Sequence, residues 1–387
     1  MSSGTIGRLI AADEGFTHQI VDTFSTVLQS DYAWTEKVWG TLGAKDGSLQ
    51  ISFGFGKYTN RNVVDGYAGV SRNLEQWTVR ASRELTSDMD SINVGPIKYE
   101  IVDPLHVIRV RLEKNDIHNI SFDVTLTGAL PCQLEEREDR RVLSGIRHSA
   151  NQIRYHQMGT ASGWVEVDGK RTEIKPDEWF MVRDRSWGVR PAVGNPLTDL
   201  QEENPDGDAS SDILALWNPM LLEDKNGQLS GFFQYYLQYR SPQFKLEKLQ
   251  GNKERNDATP IEITSLKPHL IFNPDNLRLL HGHYDNVFSD GSKSKLQFKK
   301  MGDTGFHLGA GLYLGFDGKN FGSWRGHLHV EGEYFKDCST IENSQRLNQF
   351  RDCLVEVWDD EAGLKGWGIL QSFIRGNWPE FNLTAKN

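Results

Sequence analysis

Apolar and polar positions alternate with a period of two along most of this chain, in short runs rich in Val, Ile, Phe, Tyr and Trp. That period places successive side chains on opposite faces of a pleated strand. Leu49–Phe53, Gln76–Arg80, Val107–Arg111 and Phe122–Leu126 read as strands. So do Gly163–Val167 and Arg171–Ile174, joined by Asp168-Gly169, the signal of a two-residue hairpin turn. The second half continues with Ile213–Trp217, Phe232–Tyr239, Leu277–Tyr284, Lys295–Lys299, Phe306–Phe316, Trp324–Tyr334 and Trp367–Ile374. Its turns include Lys225-Asn226-Gly227, Asp290-Gly291 and Asp317-Gly318. Only Phe16–Gln29 and Thr340–Phe350 carry partial helical spacing.

The pattern breaks between Val193 and Asp212, where Glu202-Glu203-Asn204-Pro205-Asp206-Gly207-Asp208 is acidic and turn-rich. With 387 residues the chain is long for one core, and two domains of roughly 150 to 200 residues are expected. The reading is all-β: a domain over 1–193, a linker or loop over 194–211, and a second domain over 212–387. Many hairpin-linked strands in each half suggest antiparallel barrels or curled sheets, which tend to enclose ligand cavities.

Charge and composition narrow the function. A formal net charge of -10 argues against nucleic acid as the main ligand, because phosphate binding needs a basic surface. No apolar run approaches the ~20 residues of a spanning helix. Three cysteines, Cys132, Cys338 and Cys353, stand far apart without a C-x-x-C pair, which favours buried thiols in a reducing, cytoplasmic setting. There is no G-x-S-x-G elbow, no phosphate-binding loop, no G-x-G-x-x-G and no H-E-x-x-H, so nucleotide and nicotinamide cofactors are not expected.

The chemistry-bearing stretch is Arg183-Asp184-Arg185-Ser186-Trp187-Gly188-Val189-Arg190, which follows the strand-like run Glu178–Val182. On a strand, Arg183, Arg185 and Trp187 share one face, while Asp184 and Ser186 share the other. Two readings stand: a structural ion pair locking a strand end, or a carboxylic acid at the floor of a cavity. Upstream, Arg154-Tyr155-His156-Gln157 offers Tyr155 and His156 as proton donors or acceptors, or as ties between strands. Two His-x-His pairs, His281/His283 and His327/His329, each put both imidazoles on one strand face. The second precedes Glu331 and Glu333, so His327, His329 and Glu333 form a candidate metal set. Eleven tryptophans spread over both halves serve packing first. A ring-lined barrel also suits an apolar ligand.

Taken together, Tyr155-His156-Gln157, the Gly163–Ile174 hairpin and the Arg183–Arg190 segment resemble the AttH-like, carotenoid-hydratase-like superfamily. The resemblance implies two tandem lipocalin-like antiparallel β-barrel domains. It further implies a cofactor-free protein acting on a hydrophobic, terpenoid- or steroid-like small molecule, as a hydratase or dehydratase, isomerase or cyclase. The Asp of the family's Asp-x-[Asn/Ser]-Trp-Gly mark corresponds to Asp184, the implied general acid or base. The aromatic that carotenoid hydratases carry two residues earlier is Val182 here. Tyr155 and His156 would assist, and Trp187, Trp324 and Arg183 would contact substrate. The alternatives are a carrier of the same kind of ligand without chemistry, and a metal-dependent enzyme built on the His-x-His pair.

Overall fold

In a computed structural model, described for residues 8–18, 29–88, 91–141, 146–195, 197–199, 211–242, 245–256, 258–311, 317–347 and 350–383, strands account for nearly all regular structure. The first half supplies β1 (Trp34–Ala44), β2 (Gln50–Tyr58), β3 (Val63–Arg72), β4 (Glu75–Glu84), β5 (Ile97–Asp103), β6 (Val107–Leu112) and β7 (Ile120–Gly128). It continues with β8 (Gln133–Leu134), β9 (Glu138–Arg141), β10 (His148–Val167), β11 (Lys170–Ile174) and β12 (Trp179–Val189). The second half supplies β13 (Asp212–Glu223), β14 (Leu229–Arg240), β15 (Lys245–Glu254), β16 (Ile261–Phe272), β17 (Leu279–Phe288) and β18 (Lys293–His307). It ends with β19 (Leu328–Phe335), β20 (Arg351–Asp359) and β21 (Leu364–Arg375).

These strands make two curled antiparallel sheets, the tandem lipocalin-like architecture expected from the sequence. The first runs β19-β4-β3-β2-β1-β12-β10-β7-β6-β5 and curls without closing along this order. The second closes as β13-β14-β15-β16-β17-β18-β20-β21. Each has its own apolar core: Ile51, Phe53, Val79, Val110 and Phe122 stand in the first, and Leu214, Phe232, Tyr284, Leu296 and Val357 in the second. The interior of the closed ring is thus filled by side chains. β10 bends the first sheet, pairing β12 through Asn151–Thr160 and β7 through Gly159–Val167. Only glycine fits the bend: a Cβ at Gly159 would lie 2.0 Å from the Thr127 carbonyl oxygen, and Gly163 takes φ +127°.

Two local expectations change. The stretch expected as a strand over 306–316 ends at His307 and turns into a helix, α1 (Leu308–Gly311), before leaving the described residues. The strand expected from Trp324 begins at Leu328 and pairs with β4, so a segment of the second half completes an edge of the first sheet. Of the two helical candidates, α2 (Ile341–Arg346) forms with Thr340 as its cap. In the other, residues 19–28 lie outside the described residues, as do Pro196 and residues 200–210 of the acidic segment. Among the described residues no helix is long and apolar enough to cross a membrane.

The halves meet on the outer face of β10 and β12. Met158, Phe180 and Val182 pack there against Trp217, Phe233, Leu354 and Ile369 of the ring. Trp39 meets Trp217 edge to face, with centroids 5.5 Å apart. On the inner face, Arg183 forms a two-pronged pair with Glu14 at 2.6 and 3.0 Å, and its Nε donates to Gln157 at 2.9 Å. Arg185 pairs with Glu36 and donates to the carbonyls of Gly15 and Lys37. All four charged groups of these two pairs are fully buried. Glu14→Ala would strand the Arg183 guanidinium, and urea denaturation is expected to show a loss of about 3–5 kcal/mol. The double variant Glu14→Leu/Arg183→Met is expected to recover most of it, since no charge is then left alone.

Candidate functional site

Strand alternation decides the site. On β12, Arg183, Arg185 and Trp187 point into the first sheet's own core, and Asp184 and Ser186 point out toward the ring. β1 and β10 flank β12 in register, with Trp39 and His156 opposite Asp184, and Lys37 and Arg154 opposite Ser186. A cavity of about 360 Å³ opens between the two sheets against this face. Asp184, Ser186, Lys37, Trp39 and Arg154 line it from the first sheet, and Leu216, Trp217 and Tyr235 from the ring. Tyr67, Phe321 and Leu308 add apolar wall, while Asp65, Glu135, Glu138 and Arg190 add charge. The cavity lies between the sheets, a position the sequence left open, and its lining is amphipathic.

The Asp184 side chain is 15% exposed, and its Oδ2 sits 3.2 Å from the Arg154 Nε. Burial pushes its carboxyl above the ordinary carboxylate range; Arg154 and Arg190 pull it down without cancelling that, and Glu135 reinforces it. The neighbouring Arg183 and Arg185 point away, so the guanidinium beside the acid comes instead from β10. Arg190 donates to the Ser186 hydroxyl at 3.1 Å. Asp65 is held by the Tyr58 hydroxyl at 3.0 Å and the Gly322 N–H at 2.7 Å; burial raises its carboxyl as well.

Behind Arg154 runs a buried chain of charge. His156 Nε2 meets Glu254 at 2.8 Å, and its Nδ1 meets Glu135 at 3.3 Å. Glu135 accepts from the Trp217 indole at 3.0 Å and pairs with Arg154 at 3.5 Å. Phe233 stacks on the imidazole at 4.0 Å. Burial opposes protonation of His156, but Glu254 and Glu135 outweigh it and push its pKa up to about 9. Glu135, despite burial, is held low by Arg154 and His156.

Of the residues singled out from sequence, Asp184 lies on the cavity wall and His156 directly beside it in register. Tyr155 does not join them: it faces the opposite side of the sheet, buried near Arg183 and Trp187. Arg183 is committed to Glu14, and Trp187 stacks on His18 at 3.8 Å, so neither lines the cavity. Trp324 is 49% exposed beside His327, also away from it. The metal set does not converge. His327 is 82% exposed and pairs with Glu84, while Glu333 is taken by Arg80 and Arg346 at 2.9 and 2.7 Å. His283, from the other pair, instead faces His269 and Asp285, with ligand atoms close enough to share an ion on the ring's outer surface. Sequence reasoning passed over Lys37, Asp65 and Glu135, and gave no role to Arg154 and Arg190 within the stretches it singled out. Lys37-Val38-Trp39 alternates visibly, but nothing local says that its outward face meets a second sheet.

A sequence model described as a family of unknown function, DUF8625, matches residues 9–380. No curated protein matches the chain. Among solved structures, a putative AttH from Nitrosomonas europaea is similar with a TM-score of 0.50 at 12% identity, over 87% of this chain and 92% of that one. At that identity the likeness is one of fold, and the fold is the tandem lipocalin-like one. Kievitone hydratase from Nectria haematococca aligns with a TM-score of 0.39 at 10% identity, over 93% and 95% of the two chains. CghA with Sch210972 aligns at 0.45 and 12%, over 88% of each.

The His156 pKa yields a sign for stability. The folded value, about 9, lies above the ordinary 6.5, so the protonated imidazolium stabilises the fold fully below about pH 6.5. That contribution is lost as pH rises through about 9. NMR titration is expected to place the His156 midpoint near 9, and His156→Gln is expected to flatten the fall in stability across that window.

Proposed function

We propose, for a chain that belongs to the family of unknown function DUF8625, a cofactor-independent enzyme of acid–base chemistry: a hydratase or dehydratase, isomerase or cyclase acting on a terpenoid- or steroid-like small molecule. The observation that carries this reading is the Asp184 carboxyl on the cavity wall, held by burial above the range of an exposed carboxylate. A carboxyl so placed holds its proton more readily than an exposed one, which suits a general acid.

The surroundings support the same reading. A volume of about 360 Å³ lies within the roughly 300–1,000 Å³ of small-molecule pockets. Trp39, Trp217, Tyr67 and Phe321 give the wall aromatic side chains suited to an apolar skeleton. The charges at the wall suit a substrate that also carries hydroxyl or carbonyl groups. Arg154 orients the Asp184 carboxylate, and His156 with Glu135 holds Arg154 in place. Water admitted to the cavity would direct the chemistry to hydration, and its exclusion to elimination or ring closure.

The test begins with native mass spectrometry and extraction of any small molecule that co-purifies, followed by turnover of that molecule. Asp184→Asn is expected to keep the ligand bound and to lower turnover by about 10²–10⁴-fold. Unchanged turnover in the variant would remove Asp184 from the chemistry. A ligand held by the wild type and never converted would make the protein a carrier.

A further inference from the structure

Lys37 is the cavity residue whose placement the acid–base reading leaves unused. It stands on β1 opposite Ser186, one register step from the Trp39–Asp184 pair, and lines the cavity. Its Nζ lies 3.5 Å above the Phe321 ring and 5.9 Å from that of Tyr58. Among the described residues no carboxylate reaches it as an ion-pair partner. Asp65 is already held by Tyr58 and the Gly322 N–H, and Asp184 by Arg154. The amine therefore stands at the cavity wall against the Phe321 ring with no ion-pair partner.

We propose that Lys37 is a nucleophilic amine that forms a Schiff base with an aldehyde or ketone group of the ligand in this cavity. The proposal rests on the reading of the cavity as a catalytic site and names its substrate class: a carbonyl compound with a carbon–carbon double bond, or a hydroxyl, in the β position. Burial, reinforced by Arg190 and opposed by Asp65 and Asp184, brings the Lys37 amine down to about 7, so a substantial share is neutral at physiological pH.

The chemistry also answers a weakness of acid catalysis alone. A neighbouring arginine favours the ionised carboxylate, and protonating an isolated alkene is demanding for any carboxylic acid. An iminium lowers that demand, because it acidifies the adjacent carbon and draws electrons from the conjugated double bond. For dehydration, the Lys37 nitrogen adds to the carbonyl carbon, and the oxygen leaves as water with a proton from the Asp184 carboxyl to give the iminium. The Asp184 carboxylate takes the α proton, and the C–H electron pair forms the enamine. The enamine expels the β hydroxyl, which departs as water with the proton from Asp184, leaving a conjugated iminium. Addition of water to that iminium releases the enone, restores the Lys37 amine and returns a proton to the Asp184 carboxylate. The sum is a β-hydroxy carbonyl compound converted to an enone and one water, and hydration is the reverse.

The probe is benzoylacetone, a diketone that condenses with a reactive amine, losing one water to give an absorbing enaminone. The wild-type protein at neutral pH is expected to gain one such adduct, mapped to Lys37 by peptide mass spectrometry. It should form about tenfold or more faster than at any other lysine and be lost in Lys37→Met. No adduct, or one spread over surface lysines, would overturn the proposal. Competitive acetylation of the wild type needs no variant: Lys37 is expected to react near pH 7 in preference to exposed Lys170 and Lys225. Reaction of Lys37 only after unfolding would overturn it equally. An adduct-free protein whose turnover still depends on Asp184 removes the lysine and leaves the acid–base reading in place. A Lys37 adduct in a protein indifferent to Asp184→Asn upholds the lysine and removes that reading.

Discussion

Two guanidinium groups at alternate inward positions of β12 have to be neutralised inside the first sheet, because a buried unpaired charge costs several kcal/mol. Glu14 and Glu36 do this, one from the segment before β1 and the other from β1 itself. The consequence reaches beyond stability. Pairing Arg183 and Arg185 inward fixes which way β12 faces, and a strand has only two faces. Asp184 and Ser186 are thereby turned outward, onto the surface that the ring covers. The structural ion pair and the cavity acid, opposed as readings of one sequence segment, are both present, back to back on a single strand.

The cavity owes its existence to the way the two sheets meet. Their contact is apolar around Met158, Phe180, Val182, Trp217 and Phe233. Next to that patch the facing surface carries Lys37, Arg154, Asp184 and Glu135, whose charges resist close packing against the ring. β19 ties the halves a second time by crossing from the second half to pair with β4. An acid on this seam is withdrawn from bulk water yet still open to a ligand, the condition under which burial shifts a pKa usefully.

Charge balance within the seam explains the roles of its members. Arg154 stands between Asp184 and Glu135, and Glu135 stands between Arg154 and His156. His156 is tied in turn to Glu254 at the end of β15, so the acid of the first sheet is linked through alternating charges to the ring. Such a chain holds its ends at fixed positions, since moving one charge leaves its neighbour unpaired. Lys37 lies outside the chain, its amine set against the Phe321 ring.

The alternation of apolar and polar residues was enough to determine an all-β chain, the hairpin at Asp168-Gly169 and the opposed faces of Arg183 and Asp184, because a strand's period is a local property. The Arg183–Arg190 segment, with its neighbours, carried the fold family. Which face of β12 would be covered, and by what, was not local: Lys37, Asp65, Glu135, Arg154 and Arg190 come from separate strands and loops that only tertiary pairing brings together. The same holds for what failed to assemble. Tyr155 and Trp187 turned inward, and His327, His329 and Glu333 were claimed by Glu84, Arg80 and Arg346 or left at the surface, since a side chain's partner depends on the strand beside it and not on its own sequence neighbours.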